Sequence, residues 1–184
     1  MVAVSKGRGV DEIRPLLEAG HRLFGESRVQ EAADKWPALR AEFPDVELHM
    51  IGRLQSNKAA DAARLFDAIH SLDRESLLDA LVALDAAPPC FVQVNIGAEE
   101  QKGGIDVDAL PEFLDGVGKG GLTLAGLMAI PPADVQPGPY FALLAELARR
   151  HGVTGLSMGM SADYETAVML GATHVRIGSA LFKG

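Results

Sequence analysis

The feature that most constrains the fold is a regular alternation of short β-rich runs with longer segments that carry apolar residues at helical spacing. The runs begin on average about 25 residues apart, which is enough for a strand and a crossover helix in each unit. Eight strands are predicted, at residues 2–5, 22–25, 47–51, 68–71, 91–96, 122–129, 155–158 and 174–178. Strict alternation of eight strands with helices predicts an α/β fold, a closed (β/α)₈ TIM barrel, although a doubly wound open sheet has the same local pattern.

The predicted helices fill the intervals between these strands. Two intervals reach a glycine just before the next strand, Gly20 and Gly171, which is a common helix stop signal. Apolar spacing and capping signals predict helices at 27–43, 56–65, 74–85, 107–117, 139–151 and 162–170. Because the rhythm is unbroken, residues 1–184 are predicted to form one domain. Barrels of this kind typically have about 250 residues, so the chain is expected to lack helices at both ends, the N-terminal helix included.

Composition excludes several classes of function. Lys and Arg number 17 against 25 Asp and Glu, a formal charge of -8, which argues against broad binding of nucleic acid or anionic membranes. No apolar run approaches the ~18 residues of a membrane span, and the first residues lack a signal-peptide pattern, so a cytoplasmic location is expected. The single cysteine, Cys90, excludes an intrachain disulfide, and the five histidines lack the spacing of a zinc site. No metal is expected.

The residues that follow the strands are the candidates for chemistry, since the active sites of barrels lie at the carboxyl ends of the strands. Lys6 directly follows the first predicted strand. At a barrel mouth the stem of a lysine packs against apolar walls, and a desolvated amine is a nucleophile that forms Schiff bases. The alternative is a solvated lysine at the start of a loop.

Two further loops offer an anion site. Ser161 follows the seventh strand and is placed to N-cap the helix at 162–170, where free amides and the helix dipole suit an anion. Gly178 and Ser179, at the end of the eighth strand, offer close backbone approach and a hydroxyl. Taken singly, the first serine is as typical of a plain helix cap, and the Gly-Ser pair of a turn. Strands one and eight are adjacent in a closed barrel, so these residues are expected to lie near Lys6. An amine beside an anion site fits an aldehyde-bearing phosphate ester.

Two side chains within predicted strands are also candidates for the site. Arg176 faces either the lumen, beside a ligand, or the helices, in a structural ion pair. A guanidinium cannot accept a proton, so a pyridine nitrogen beside it would stay unprotonated and the ring would be a weaker electron sink. His49 is predicted to be a core or supporting residue rather than a catalytic one.

Six short motifs follow one another along nearly the whole chain: AVSK at 3–6, FGExRVQE at 24–31, HxIGxLQxNK at 49–58, GLMAI at 126–130, SMGMS at 157–161 and VRIG at 175–178. In this order they closely resemble the motifs of the pyridoxal phosphate homeostasis proteins. That family has a single-domain barrel related to the N-terminal domain of alanine racemase, normally with a helix before the AVSK strand. One departure is Ser27, which stands where the family usually has an asparagine.

The resemblance implies a role for each candidate. Lys6 is expected to hold pyridoxal 5'-phosphate as a Schiff base. Ser161, Gly178 and Ser179 are expected to bind its phosphate. Arg176 is expected to lie near the pyridine ring.

Three functions remain open. The resemblance implies a non-catalytic protein that buffers or delivers pyridoxal phosphate. We expect it to be a monomer that serves apo-enzymes and binds neither nucleic acid nor membrane. A pyridoxal-phosphate-dependent amino-acid racemase needs a second base, which in alanine racemases is a tyrosine of a C-terminal β domain. Here the chain ends at Gly184, and Tyr140 and Tyr164 both lie on predicted helices. A Schiff-base aldolase without cofactor is the third candidate, and it predicts a colourless protein.

Overall fold

The computed structural model describes residues 1–99 and 101–182, which contain a closed barrel of eight parallel strands. In chain order the strands are β1 (Val2–Val4), β2 (Leu23–Glu26), β3 (Glu47–Met50), β4 (Ala68–Leu72), β5 (Cys90–Gln93), β6 (Leu124–Met128), β7 (Leu156–Met160) and β8 (His174–Ile177). Each strand pairs with the next, and β8 pairs with β1, placing Ala3 opposite Ile177. The predicted barrel is confirmed over the open sheet, because an open sheet leaves two edge strands.

A helix follows each of these eight strands along the chain. They are α1 (Val10–Glu18), α2 (Val29–Glu42), α3 (Ala59–Leu65), α4 (Glu75–Val82), α5 (Leu110–Lys119), α6 (Gly138–Arg150), α7 (Tyr164–Met169) and α8 (Ser179–Phe182). Short 3-10 turns at Ser56–Lys58 and Val107–Ala109 lead into α3 and α5. None of these described helices is long and apolar enough to cross a membrane.

The core has two layers because parallel barrel strands are buried on both faces. All five residues of β4, for example, are buried. One set of strand side chains fills the lumen, and the other packs against an apolar stripe on the surrounding helices. In α4 that stripe consists of Leu77, Leu78 and Leu81. In α2 it contains Trp36, which is fully buried.

The two glycines predicted to stop helices do so. Gly20 and Gly171 have φ angles of +91° and +92°, a left-handed conformation that glycine adopts without the steric cost of a Cβ. After α1 the His21 amide donates a hydrogen bond to the Leu16 carbonyl at 2.9 Å. This bond closes the helix end and turns the chain toward β2.

One predicted helix start, which concerns Ser161, is wrong. The helix predicted at 162–170 begins at Tyr164, and Asp163 takes the N-cap position. The Asp163 carboxylate accepts a hydrogen bond from the Met160 amide at 2.6 Å, which closes a turn before the helix starts. Ser161 therefore lies in a turn after β7 and does not cap α7.

Strand β5 is shorter than predicted and begins with the one cysteine. The strand ends at Gln93 rather than at residue 96, because the chain beyond it pairs with a loop: the Ile105 amide donates to the Gln93 carbonyl at 2.8 Å. Cys90 is buried, and its thiol donates to the Pro88 carbonyl at 3.2 Å. Burial raises the pKa of this thiol to about 12, so it is unreactive at neutral pH.

Candidate functional site at the barrel mouth

Lys6 lies at the mouth of the barrel, two residues after the end of β1. It is exposed and lines a cavity of about 450 Å³, here called the Lys6 cavity. Ser27, Gly52, Asn95 and Lys102 also line it, from segments that follow β2, β3 and β5. The cavity therefore lies at the carboxyl ends of the strands, and it contains two primary amines in a space of small-ligand size.

One wall of the Lys6 cavity is a backbone contact between two loops. A Cβ built on Gly52 would lie 2.3 Å from the Ser27 carbonyl oxygen and 2.7 Å from the Ser27 Cβ. The Gly52 carbonyl accepts a hydrogen bond from the Ser71 hydroxyl at 2.6 Å. Only glycine fits at this position, so Ser27, the departure from the family pattern, is held directly against the loop after β3.

A buried lysine holds the backbone on both sides of Lys6. Lys35 lies on the buried face of α2, with 9% of its side chain exposed. Its Nζ donates to the Ser5 carbonyl at 2.8 Å and to the Arg8 carbonyl at 3.1 Å. The loop that carries Lys6 is thus tied to α2 at two carbonyl groups.

Two carboxylates balance the charge of Lys35 and bind the same loop. Glu26, at the end of β2, is fully buried, and its Oε1 lies 2.8 Å from Lys35 Nζ and accepts from the Ser5 hydroxyl at 2.6 Å. The Oε1 atom of Glu31 lies 2.9 Å from Lys35 Nζ and accepts from the Gly7 amide at 2.5 Å. Lys35, Glu26 and Glu31 are called the Lys35 cluster below.

The predicted phosphate ligands meet where β7 and β8 end. The Gly178 amide donates to the Ser161 hydroxyl at 3.4 Å, and Ser179 is exposed at the start of α8. A Cβ at Gly178 would lie 3.2 Å from the Val4 Cβ, closer than side chains normally pack. Glycine therefore lets this loop approach the end of β1, the strand that leads to Lys6.

Arg176 is buried and reaches across the lumen. Its Nη1 donates to the Ser157 carbonyl at 2.8 Å and to the Ser157 hydroxyl at 2.6 Å, and its Nη2 donates to the Ala129 carbonyl at 3.1 Å. Within residues 1–99 and 101–182, its Nε has no hydrogen-bond partner and the side chain makes no ion pair, so the structural ion pair considered above is not found there. Burial lowers the pKa of this guanidinium to about 10, which leaves it charged at pH 7.

Histidines continue this polar chain across the lumen. His70 Nδ1 lies 2.7 Å from the Ser157 hydroxyl, and His70 Nε2 lies 2.9 Å from His49 Nδ1. Because Arg176 only donates, each of these hydrogen bonds has one donor and one acceptor when Ser157 donates to His70 and His70 donates to His49. The His174 ring lies near both histidines, with centroids 6.0 and 5.7 Å away. Arg176, Ser157, His70 and His49 are called the lumen column below.

Burial keeps these histidines neutral. It lowers the pKa of His49 to about 4, with a smaller contribution from His174. It also lowers the pKa of His70 well below its ordinary value, and the neighbouring His49 adds to this. The pKa of His174 is lowered for the same main reason. His49 is a core residue, as predicted, and Arg176 carries the one charge of the lumen column at pH 7.

The predicted site residues fall into three places in the structure. Ser161 and Gly178 are in direct contact, with Ser179 next in the chain. Lys6 follows the neighbouring strand, but the other four predicted residues do not line its cavity as the described residues form it. Arg176 is fixed by the Ser157 carbonyl of β7 and by the Ala129 carbonyl just after β6. The β1–β8 pairing connects the three places.

Two lysines with a part in the site were not predicted. Lys35 falls on the buried stripe of α2, between Ala32 and Trp36, and a lysine inside an apolar stripe is a signal that reveals a buried cation. Lys102 follows β5 in an irregular loop and donates to the Pro131 carbonyl at 3.2 Å. No periodic pattern in the sequence marks that residue.

Comparison with known proteins identifies the family. The family model for the alanine racemase N-terminal domain matches residues 2–184. The pyridoxal phosphate homeostasis protein of Aquifex aeolicus is 38% identical over 196 residues, which cover 99% of this chain and 85% of that protein. The chain belongs to the pyridoxal phosphate homeostasis protein family. The resemblance noted from the six motifs is thereby confirmed.

Solved structures agree with this assignment. PipY of Synechococcus elongatus, a structure with PLP bound, has a TM-score of 0.86 and 37% identity, covering 98% of this chain and 91% of PipY. Alanine racemase from Corynebacterium glutamicum has a TM-score of 0.73 at 20% identity, and the match covers 54% of that enzyme. The second likeness concerns the fold alone.

Proposed function

We propose that this protein binds pyridoxal 5'-phosphate at the barrel mouth and buffers or delivers it inside the cell, without turning over a substrate. The observation that carries the proposal is the pairing of β1 with β8, because it sets the end of β1, which leads to Lys6, beside the loop of Gly178 and Ser179. The names of the relatives and the PLP bound to PipY support it. The proposal includes a single cofactor-binding domain over residues 1–184, a monomeric state, a cytoplasmic location and transfer to apo-enzymes.

The residues at the mouth fit this cofactor. Pyridoxal phosphate supplies an aldehyde that condenses with a primary amine and releases water. Lys6 supplies an amine at the edge of a cavity of about 450 Å³. The Ser161 and Ser179 hydroxyls and the Gly178 amide are hydrogen-bond donors of the kind that bind phosphate. Lys35 and its carboxylates fix the loop of Lys6, which keeps the backbone of that loop at a constant position relative to those donors.

Arg176 has a defined part in this proposal. Three of its five N–H groups donate to Ser157 and Ala129, which leaves Nε–H and one Nη2–H as free donors among the described residues. A guanidinium donates and does not accept, so a ring nitrogen bonded to it stays unprotonated. The hydrogen bonds of Arg176 to Ser157 and Ala129 fix the direction in which those donors point.

The groups around Lys6 support a carrier more than a racemase. No tyrosine is among the described residues that line the Lys6 cavity. The one carboxylate there, Asp73, is paired with Arg74 and lies 3.5 Å from Arg53. Lys102, the other amine, lies 2.6 Å from the Glu99 carboxylate. The acid and base groups at this site are therefore engaged with one another.

The decisive experiment compares lysine variants of the purified protein. We expect the wild type to be yellow, with a visible absorption band and an adduct that borohydride traps on Lys6. Lys6→Ala should lose both signals, whereas Lys119→Ala, an exposed lysine at the end of α5, should keep them. Loss in Lys102→Ala instead would assign the cofactor to the other amine of the cavity. A colourless wild type that takes up no added pyridoxal phosphate would refute the proposal and favour the aldolase alternative.

The phosphate ligands and the absence of turnover are tested separately. Replacing both Ser161 and Ser179 by alanine should weaken cofactor retention without unfolding the protein, and unchanged affinity would mean that the phosphate is bound elsewhere. Exchange of the α-hydrogen of alanine in deuterated water tests turnover. Rates of about 1 per second or more are typical of enzymes and would reverse the carrier assignment in favour of a racemase.

A further inference from the structure

A second cavity opens beside the Lys6 cavity, with a volume of about 590 Å³. Ser27 and Arg53 line both, so the two cavities share a wall. The second cavity is formed mainly by the segments that follow β2 and β3, and Arg74 adds to it from the residue before α4. It is called the Arg28 cavity below, after a cation that lines it.

The charge of the Arg28 cavity differs from that of the whole chain. The chain carries a formal charge of -8. Of the twelve residues that line this cavity, four are cations and none is a carboxylate. The four cations are Arg28, Arg53, Lys58 and Arg74. Side-chain amides and hydroxyls make up most of the remaining polar lining. Such a concentration of donors on an acidic protein points to an anionic ligand.

Two of the cations share a carboxylate behind the wall, and one of them, Arg74, is a fixed part of the wall. Arg74 donates to the Leu54 carbonyl at 2.8 Å and to the Ser56 hydroxyl at 3.2 Å, which holds the loop after β3 in place. Arg74 and Arg53 share the Asp73 carboxylate, which does not line the Arg28 cavity. Their charge is therefore partly balanced from behind the wall. Arg74 acts mainly as a preorganised donor, whereas Arg53 lies 3.5 Å from the shared carboxylate and its side chain is 73% exposed.

The other two cations have little compensation. Arg28, the residue before α2, is exposed, and within the described part of the chain its side chain makes no hydrogen bond or ion pair. Lys58 is exposed, and its Nζ lies 3.5 Å from the Asp61 carboxylate, at the limit of an ion pair. Arg28 and Lys58 are thus the charges that remain available to a ligand.

The lining also contains an apolar surface. Val29, Met50 and Leu54 contribute it, and the last two are almost completely buried. A ligand that matches this lining has a small anionic head and an apolar body, and a volume of about 590 Å³ is ordinary for a small-molecule site. A phosphate group suits the head, because its oxygens accept hydrogen bonds from guanidinium, ammonium and amide groups at once.

We propose that the Arg28 cavity is a second binding site, for a small phosphate monoester with an apolar or aromatic body, beside the cofactor site. Its position next to a cofactor rests on the proposed function, but its existence does not. Occupancy places a second anion across the shared wall from Lys6. The site therefore offers a way for a phosphorylated metabolite to influence the contents of the Lys6 cavity.

The test is calorimetric titration with phenyl phosphate at low ionic strength. The protein is first loaded with pyridoxal phosphate and reduced with borohydride, so that the cofactor site is filled before the titration. We expect one saturable site, with affinity that falls as salt screens the charges. Arg28→Gln combined with Lys58→Gln should weaken binding about tenfold or more, because two charge-assisted hydrogen bonds are lost. Lys119→Gln, the matched change of an exposed cation, should bind as the wild type does.

Three results would overturn this proposal. The first is that the wild type does not saturate up to about 10 mM phenyl phosphate. The second is that the double variant binds with the same affinity as the wild type. The third is that Lys119→Gln weakens binding as much as the double variant does, which would indicate nonspecific attraction between charges. Melting temperatures show whether the double variant is folded. If it is not, the single variants Arg28→Gln and Lys58→Gln take its place in the titration. If the protein takes up no pyridoxal phosphate, the proposed function fails, and the same titration on the unloaded protein still decides the second site.

Discussion

Two polar clusters are buried on opposite faces of the same sheet, and they accommodate charge differently. In the Lys35 cluster, between the barrel and α2, one buried cation meets two carboxylates. In the lumen column, Arg176 meets only neutral groups, namely Ser157 and the Ala129 carbonyl. The contribution of the Lys35 cluster to stability is therefore expected to depend on the pairing of its charges. The contribution of the lumen column to stability depends on its histidines staying neutral, and therefore on pH.

The largest loss of stability is expected from Lys35→Met. The methionine fills a similar volume but leaves the buried Glu26 carboxylate without its cation and removes the donor to the Ser5 and Arg8 carbonyls. Removing one partner of a buried ion pair typically lowers the free energy of unfolding by about 3–5 kcal/mol. Urea unfolding measures this loss, and the yield of borohydride-trapped cofactor should fall with it.

A surface ion pair provides the control for that change. Arg14 donates two hydrogen bonds to Glu42 on the outside of the barrel, where both side chains are partly exposed. Arg14→Met should cost only about 0–1 kcal/mol, because exposed pairs are screened by solvent. Equal losses for Lys35→Met and Arg14→Met would show that burial of the Lys35 cluster has no energetic consequence.

The second effect is a loss of stability in acid that originates in the lumen. The pKa of His49 is lowered to about 4 in the folded protein, so below pH 6.5 the unfolded chain binds a proton that the folded chain does not. Stability is therefore complete near pH 7 and falls as the pH drops. His49 alone should account for about 2 kcal/mol between pH 7 and pH 5. Urea unfolding at pH 7, 6 and 5 measures this slope.

Two variants locate that pH dependence. His49→Gln keeps a polar group in the lumen but does not titrate, so the slope between pH 7 and pH 5 should become shallower. His151→Gln changes an exposed histidine after α6 and should leave the slope as it is. A wild-type slope that persists in His49→Gln would mean that the acid sensitivity does not arise from His49.

The smallest effect is expected from Arg176→Met, which sharpens the contrast with Lys35→Met. The change removes three hydrogen bonds but also removes a desolvated charge, and it leaves no opposite charge unpaired in the described lumen. These contributions oppose each other, so the net loss should be about 1 kcal/mol. Urea unfolding at pH 7 measures it. A loss as large as that of Lys35→Met would contradict the distinction between the two clusters.

Much of the fold is predictable because it rests on local patterns. The spacing of the apolar runs predicts eight parallel units, and Gly20 and Gly171 mark two helix ends through their left-handed conformation. The start of α7 is not predictable in this way. Ser161 and Asp163 are both good capping residues, and the turn that the Asp163 carboxylate closes with the Met160 amide decides between them.

The site is only partly predictable for a related reason. Lys6, Ser161, Gly178 and Ser179 are marked by their positions after strands, and their roles as cofactor ligands stay predictions. The role of Lys35 depends on which carbonyl groups the fold brings to its Nζ, and those belong to residues 27 and 30 positions earlier in the chain. Sequence spacing carries no information on such contacts.

The sequence by itself determined the repeating strand and helix unit, the family, and the polar residues at the ends of the strands. These depend on local spacing and residue type. Only the tertiary structure decided which polar groups meet: Arg176 with Ala129, His70 with Ser157, and Lys35 with the loop around Lys6. The physical reason is closure of the barrel. Closure brings β8 beside β1 and points side chains from distant strands into one lumen, where buried polar groups must find partners.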